Sequence, residues 1–492
     1  MAIARMTAAE AATLIKNNDN VGFGGFTHAG CPKAVPLALA RRAQDEHRKG
    51  NPFMINVIAG ASTGDSLDGA LARANAIKLR TPYQSNAYVR EAINNDEIDF
   101  FDLHLSAMAQ QVRNGVYGAI DVAILEACDV TEDGEIVLTG GVGIAPTMAS
   151  LAKIVIVELN SWHPKELRGI HDLLELPLPP FRDIIPIRKV SDKIGRDCIK
   201  LDPAKIVIVE THIENEGEIL DALTDVTKHI GDNLANFIVH EMRCGRIPVT
   251  GLPFQLGVGN TANAALFALG EKKEIPALSF YTEVMQDAII NMLENGQATI
   301  ASAVSMSVTK PCVDRVYKNL PFFKDKLILR TPEITNSPEV VRRLGVISMN
   351  TAIEVDIFGN VNSSHIMGKK IMNGIGGSGD FTRNAHTSIF LTSSTTKGDK
   401  ISKIVPMVSH TDHSEHSVGV IVTEYGVADL RGKTPRQRAM CIIENCAHPN
   451  YRPLLREYLK SAGKGQTPVN LYTCFAFHKA FMETGDMQNA VL

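Results

Sequence analysis

Apolar residues along this chain come in short continuous runs, each followed by a glycine turn and then by a stretch with helical spacing. The runs PFMINVIAG, AIDVAILEA, AKIVIVELN and AKIVIVETH are rich in valine and isoleucine. Runs of this kind are typical of strands buried on both faces, as in parallel sheets covered by helices. The repeated order of strand, glycine turn and helix therefore predicts an open α/β fold with mostly parallel sheets.

The repeated order of strand, glycine turn and helix is interrupted once and then resumes, which predicts two similar α/β domains. The proline-dense LELPLPPF, within residues 161–193, is predicted to be an irregular connection. A helix is predicted to begin near Thr224, and GRIPVTGLPFQLGVGNTANAALFAL then repeats the strand, glycine turn and helix. We therefore predict an N-terminal domain over 1–223, a C-terminal domain over 224–463 and a small helical tail over 464–492.

Composition and charge exclude several classes of protein. The 492 residues are 45% hydrophobic, which excludes a disordered or fibrous chain. The net charge is only −4 and 6% of residues are aromatic, so neither an electrostatic field nor a stacking platform favours a nucleic-acid partner. The longest charge-free apolar stretch, residues 136–152, contains three glycines and a proline and is short for a bilayer span.

The N-terminus and the cysteines favour a cytoplasmic location. Glu10 lies early in a segment without the apolar core of a signal peptide, and Thr7 with Glu10 predicts a helix-capping box instead. The eight cysteines are scattered and form no CxxC pair, which is typical of reduced thiols.

Two glycine-rich segments are candidates for binding an anion or a phosphate. In GVGNTANAALFAL, from Gly257 on, glycines before a helix leave backbone N–H groups for an anion or an oxyanion, although the motif alone favours a tight strand-to-helix turn. In NGIGGSGDF, from Asn373 on, Gly374, Gly376 and Gly379 match GxGxxG. Because GKKIMN is a poor buried strand and FTRNAHTS a poor helix, a dinucleotide site is not favoured.

Three charged residues stand at informative positions. Glu283 follows the apolar strand of SFYTEVMQDAIINML, and a helix is predicted from Val284. A carboxylate there tends to stay ionised and can act as a nucleophile, or it is simply an acid at a helix N-terminus. Glu424 ends the strand GVIVTE in the same way, and Lys397 is either a phosphate partner or a solvated lysine.

The segment SHTDHSEHS, residues 409–417, superficially resembles a metal site. His410, His413 and His416, with Asp412 and Glu415, would converge on a metal only if the segment were helical. Its serine and threonine content predicts a loop instead, hydrogen-bonded over a cleft.

Taken in order, the motifs resemble those of the acetyl-CoA hydrolase/transferase family, the class I CoA-transferases, and most of all its succinyl-CoA:acetate and propionyl-CoA:succinate branch. The similar segments run from GFGGFTHAGCPKAVPLAL through GVGNTANA, FYTEVMQD, EITNSPEVVRRLG and NGIGGSGDF to VPMVSHTDHSEHS and VTEYGVADLRGKTP. The resemblance implies two α/β domains with the active site between them, a homodimer, and CoA as a substrate with no further cofactor and no metal.

The resemblance also implies roles for individual residues. Glu283 fills the nucleophile position of the family's YTE motif, and His28 stands where the family has a small residue or proline. Backbone amides of Val258 and Gly377 would form an oxyanion hole, and Asn336 and Glu424 match polar residues beside the nucleophile. The implied CoA contacts are Gly257, Val258, Gly259, Asn260, Thr261, Asn373, Gly377 and Lys397.

The implied activity is transfer of CoA from an acyl-CoA such as succinyl-, propionyl- or acetyl-CoA to a small carboxylate such as acetate or succinate. It would proceed by a ping-pong route through an acyl-glutamyl anhydride and a glutamyl-CoA thioester. The alternatives are an acyl-CoA hydrolase on the same scaffold, a dinucleotide-dependent oxidoreductase using Gly374 to Gly379, and a non-catalytic CoA-binding protein.

Overall fold

A computed structural model describes residues 3–217 and 222–492, and its contacts group the chain into two units. The first unit takes in the described part of Met1–Ile219 together with Ser279–Glu294 and Ala298–Leu344. The second takes in the described part of Leu220–Leu278 together with Asn295–Gln297 and Gly345–Leu492. Both units are α/β with mostly parallel strands, which confirms the predicted fold class. The domain boundaries after residues 223 and 463 stay predictions.

The main sheet of the first unit is built from the valine- and isoleucine-rich runs of the sequence. All neighbouring strands in its main path are parallel. Glu135–Leu138 and Ile199–Lys200 extend it with antiparallel pairing. The order of the main path is Ala4–Arg5, Ile206–Thr211, Ile154–Asn160, Val122–Val130, Asn20–Phe23, Ile55–Ala59, Ile77–Thr81 and Asp99–Phe100.

Helices cover this sheet and bury its apolar runs. Val21, Val57, Ile124 and Ile156 are fully buried and share one core with apolar faces of the surrounding helices. The helices of the N-terminal part are Ala8–Thr13, Ala34–Arg48, Ala70–Arg73, Ala87–Asn94, Leu105–Arg113 and Ala145–Leu151.

A second group of elements in the first unit carries the predicted nucleophile. Its strands are Leu278–Tyr281, Val284–Met285, Ala298–Ala303, Ser305–Met306 and Leu327–Leu329. The first residue of these strands, Leu278, groups with the second unit. Its helices are Asp287–Glu294, Lys310–Lys318, Leu320–Phe323, Pro332–Thr335 and Pro338–Leu344.

The sheet of the second unit is also parallel except at its edge. Phe254–Leu256, Ile347–Thr351, Thr387–Leu391 and Val420–Thr423 run parallel, and Gly426–Asp429 returns antiparallel. Short strands at Glu354–Asp356, Val361–Asn362, His365–Ile366, Lys370–Ile371, Thr395–Thr396, Ile401–Ser402 and Ile404–Val405 form smaller ladders. The helices are Asp225–Arg243, Asn260–Gly270, Ser378–Asn384, Pro435–Cys446, Arg452–Ser461 and Ala476–Thr484.

Several local predictions are confirmed. Thr7 and Glu10 form the expected capping box, and Thr224 caps the helix Asp225–Arg243. Phe477, in the helical tail, is fully buried in the same core as Val355 of the second unit. No helix among the described residues is long and apolar enough to cross a membrane.

The first unit also buries a group of charged side chains beneath the helix Ala34–Arg48. Lys33 forms an ion pair with Glu126, and both side chains are almost completely buried. His163 Nε2 lies 3.2 Å from Glu126, and Asn160 donates a 2.9 Å hydrogen bond to it. Burial raises the pKa of Glu126, but Lys33 and His163 outweigh this effect and lower it to about 2. The carboxylate is therefore charged at neutral pH, and it depends on Lys33 for compensation.

Lys33→Met is expected to lower the free energy of unfolding by about 3 to 5 kcal/mol, because it leaves Glu126 buried without its cation. The matched control is Lys153→Met, which removes the ion pair between the largely exposed Lys153 and the partly exposed Asp121 and should cost no more than about 1 kcal/mol. Chemical denaturation of both variants tests this difference. Equal losses of stability would contradict it.

Candidate active site

Glu283 lies at a junction between two strands rather than at a helix N-terminus. The strand Leu278–Tyr281 ends two residues before it, and Val284–Met285 pairs in parallel with Ser305–Met306. The backbone carbonyl of Glu283 accepts hydrogen bonds from the N–H groups of Val304 and Ser305. The prediction of a helix from Val284 was therefore wrong, because Val284–Met285 joins a ladder and the helix begins only at Asp287.

The side chain of Glu283 is half-buried and is oriented by Asn336. The Asn336 amide Nδ2 donates a 2.8 Å hydrogen bond to Glu283 Oε1. Asn336 itself is completely buried and follows the short helix Pro332–Thr335. The structure thus brings together two of the residues that the sequence singled out, and both lie in the first unit.

Two of the predicted site residues in the second unit lie directly after the carboxyl ends of its parallel strands. Gly257 comes directly after Phe254–Leu256, and Glu424 comes directly after Val420–Thr423. Because these strands run parallel, their carboxyl ends meet at one edge of the sheet, where open α/β sheets bind ligands.

Ser394 fixes the Glu424 carboxylate at this edge. Its backbone N–H donates a 2.9 Å hydrogen bond and its hydroxyl a 2.5 Å hydrogen bond to that carboxylate. Sequence reasoning missed Ser394, although its position three residues after the strand Thr387–Leu391 was an available signal.

The glycine turn at residues 257–261 has the geometry of an exposed helix N-terminus. Gly259 has φ +108°, which favours glycine, and the helix Asn260–Gly270 begins directly after it. The side chain of Val258 is 49% exposed, and Gly257 donates its N–H to Met349. The first N–H groups of this helix have no partner within the helix itself and are suited to an anionic group.

The NGIGGSG segment leads into a helix, which the sequence analysis did not predict. Ser378–Asn384 is helical, with Gly377 before it and Asp380 in its first turn, where a carboxylate is favourable. The residues FTRNAHTS looked like a poor helix, but burial of Phe381 and Thr382 overrides their weak propensity. The segment before it holds only the short antiparallel strand Lys370–Ile371, so the strand required by a dinucleotide fingerprint is not formed there. Asn373 accepts a hydrogen bond from the N–H of Gly374.

The SHTDHSEHS segment is a loop, as predicted. His413 is buried and its Nε2 lies 3.0 Å from the hydroxyl of Ser378, which ties this loop to the NGIGGSG segment. His416 is exposed, so the three histidines do not share one site.

His365, His410 and Asp412 instead have potential ligand atoms within 4.8 Å of one another. The Asp412 carboxylate already accepts hydrogen bonds from Ser363 N, at 2.6 Å, and from the hydroxyl of Ser364. These hydrogen bonds account for the position of the Asp412 carboxylate within the loop.

Lys397 and His28 occupy turns. Lys397 is exposed at a hairpin tip with φ +53°, and its Nζ lies 5.5 Å from the ring centre of Phe481. His28 lies in the turn that the N–H of Phe26 closes with the carbonyl of Ala29. The roles of both residues stay predictions.

Comparison with known proteins identifies the family. The model of the acetyl-CoA hydrolase/transferase N-terminal domain matches residues 4–210, and that of the C-terminal domain matches residues 313–459. The chain belongs to the acetyl-CoA hydrolase/transferase family. It is therefore an enzyme, in a family of CoA-transferases and acetyl-CoA hydrolases.

Relatives of both activities cover nearly the whole chain. The chain is 46% identical to the propanoyl-CoA:succinate CoA transferase of Escherichia coli (98% of each chain) and 45% identical to the succinyl-CoA:acetate CoA-transferase of Clostridium kluyveri (98% and 90%). It is 41% identical to an acetyl-CoA hydrolase of Candida glabrata (98% and 94%). The crystal structure of RipA from Yersinia pestis shares the fold, with a TM-score of 0.72 at 20% identity over 94% of this chain and 97% of that one.

Removal of metal ions is expected to leave acyl-CoA turnover by this family member unchanged, because local hydrogen bonds account for the Asp412 carboxylate. The measurement is initial rate before and after dialysis against a chelator, with metal content followed by mass spectrometry. A loss of activity that Zn²⁺ restores would contradict the expectation.

Proposed function

We propose that the protein is a CoA-transferase that moves CoA from succinyl-, propionyl- or acetyl-CoA to a small carboxylate such as acetate or succinate. The two transferases named above support this proposal, since they are 46% and 45% identical over almost the full chain. CoA enters as a substrate, and the proposal includes no further cofactor.

The observation that carries the proposal is the hydrogen bond between Asn336 and Glu283. An amide N–H at 2.8 Å orients the half-buried carboxylate. The amide is neutral, whereas an arginine or lysine partner would add a positive charge. A carboxylate held in one orientation can act as a nucleophile.

The first half of the proposed reaction transfers CoA to the enzyme. A carboxylate oxygen of Glu283 attacks the thioester carbonyl, the C–S bond breaks, and CoA leaves as a thiolate. The acyl-glutamyl anhydride then reacts with that thiolate at the glutamyl carbonyl. Its C–O bond breaks, the first acid leaves as a carboxylate, and a glutamyl-CoA thioester remains.

The second half reverses these steps with the acceptor acid. Its carboxylate attacks the glutamyl thioester, the C–S bond breaks, and CoA leaves as a thiolate. The thiolate then attacks the acyl carbonyl of the new anhydride, whose acyl C–O bond breaks, so that the new acyl-CoA and the free Glu283 carboxylate are formed. The thioester bond is conserved throughout, so no other energy source is required. Each step passes through an oxyanion, for which the N–H groups of Val258 and Gly377 are the proposed donors, each worth about 3 kcal/mol.

A second candidate function is hydrolysis of acetyl-CoA, which the 41% identical hydrolase favours. The two functions share the first half-reaction and differ in whether a carboxylate or water consumes the intermediate. Exclusion of water is therefore the physical property that separates them.

Glu283→Ala is expected to lower turnover by about 10⁴-fold, because the covalent intermediate cannot form. Wild-type protein incubated with acyl-CoA alone and then with borohydride should carry a reduced side chain at Glu283, detected by peptide mass. Glu294→Ala removes a nearby carboxylate that pairs with Arg315 and serves as the matched control. Normal turnover in Glu283→Ala would overturn the proposed nucleophile.

Turnover of acyl-CoA is expected to depend strongly on an added carboxylate acceptor. A matrix of initial rates with acetate, propionate, butyrate and succinate as acceptors measures this dependence and identifies the acid pair. Equal rates of CoA release with and without every acceptor would instead favour the hydrolase.

A further inference from the structure

The position of Asn336 depends on a helical turn that cannot hold itself in place. The helix Pro332–Thr335 has four residues, and Asn336 is its C-terminal cap. Isolated helices of this length are unstable in water because nucleation costs more than so few hydrogen bonds return. Contacts from other elements must therefore fix the asparagine that orients Glu283.

Tyr281 supplies one of these contacts from the strand that leads to Glu283. Its hydroxyl donates a 2.9 Å hydrogen bond to the carbonyl of Ile334, and both residues are completely buried. Burial raises the pKa of Tyr281 far above its usual value, so the hydroxyl keeps its proton and remains a donor. The same carbonyl accepts a 3.3 Å hydrogen bond from the N–H of Ser337, so the Tyr281 hydroxyl ties the end of the short helix to the strand Leu278–Tyr281.

Glu333 supplies a second contact from within the short helix. Arg113, the last residue of the helix Leu105–Arg113, donates a 2.6 Å hydrogen bond from Nη2 to Glu333 Oε1. Arg113 Nη1 also donates to the hydroxyl of Thr147 at 3.0 Å. The Glu333 side chain is 1% exposed, so this ion pair is shielded from solvent.

The chain that enters the short helix is fixed as well. Arg330 is fully buried, forms an ion pair with Asp172, and donates a 2.8 Å hydrogen bond from Nε to the hydroxyl of Ser302. Both ends of residues 330–336 are thus tied to neighbouring elements. Displacement of the Asn336 backbone from its place beside Glu283 would therefore strain these bonds.

We propose that Tyr281 and Glu333 are positioning residues that hold the Asn336 amide against the Glu283 carboxylate during CoA transfer. This inference rests on the proposed function. Tyr281 is two residues before the nucleophile, so one short segment of the chain carries both the reacting carboxylate and the anchor for its hydrogen-bond donor. Neither positioning residue contacts the reacting atoms in this account.

Tyr281→Phe tests the proposal by removing only the hydroxyl. We expect kcat to fall about tenfold, because small displacements of an orienting group slow chemistry strongly, while KM for acyl-CoA stays within about twofold. The matched control is Tyr458→Phe, since Tyr458 is also fully buried and its hydroxyl also bonds a backbone group, the N–H of Asn470. The control should lose similar thermal stability without the fall in kcat.

A double-mutant cycle distinguishes positioning from a general structural effect. If Tyr281 acts through Asn336, Tyr281→Phe should cause no further fall in kcat when Asn336→Ala is already present. Single-turnover formation of the Glu283 adduct, followed by rapid quench, gives the rates if steady-state turnover is too slow. Rate losses that multiply in the double variant would overturn the proposal.

Glu333→Gln provides a second test if Tyr281→Phe folds poorly. It should lower kcat without changing KM for acyl-CoA, and it should also be silent in the Asn336→Ala background. Glu241→Gln is its control, because Glu241 is equally buried and binds Arg246 and Arg431 in the second unit. Equal effects of Glu333→Gln and Glu241→Gln on kcat would count against the proposal.

The outcomes separate this inference from the proposed function. If the wild-type protein forms no adduct at Glu283, the proposed function fails. If the wild-type protein forms the adduct and Tyr281→Phe forms it at the same rate, only the positioning role fails.

Discussion

The hydrogen bond from the Asn336 amide to the Glu283 carboxylate is the interaction on which the account of this protein depends. A nucleophilic carboxylate must be held in one orientation, yet a buried cation beside it would stabilise the resting state. An amide donor orients the carboxylate without adding charge. The surrounding structure is arranged accordingly, since Asn336 is completely buried and ends a segment, residues 330–336, that is bonded to three other elements of the first unit.

Two other buried carboxylates of the first unit form ion pairs. Glu126 is paired with Lys33 and Glu333 with Arg113, so each carries its own cation. Such pairs are costly to break and hold elements in register. The hydrogen bond from Asn336 to Glu283 differs from these ion pairs because its donor is a neutral amide.

The fold could be predicted from the sequence because its signal is local. Continuous valine and isoleucine runs became the parallel strands, and the caps at Thr7 and Thr224 marked helix starts. The helix Ser378–Asn384 and the strand Val284–Met285 were mispredicted, since tertiary burial of Phe381 and ladder pairing with Ser305 decide those segments. Ser394, Tyr281 and Glu333 could not be assigned from spacing, because their partners lie 30, 53 and 220 residues away along the chain.

The most direct test of covalent transfer at Glu283 follows oxygen rather than rate. The acceptor acid is supplied with both carboxylate oxygens labelled as oxygen-18, and the enzyme is digested after a few turnovers. In the proposed route one acceptor oxygen attacks the glutamyl thioester and stays on the enzyme when the new thioester forms. Covalent transfer therefore leaves oxygen-18 in the Glu283 carboxylate. Efficient transfer with the label confined to the product acyl-CoA would contradict it.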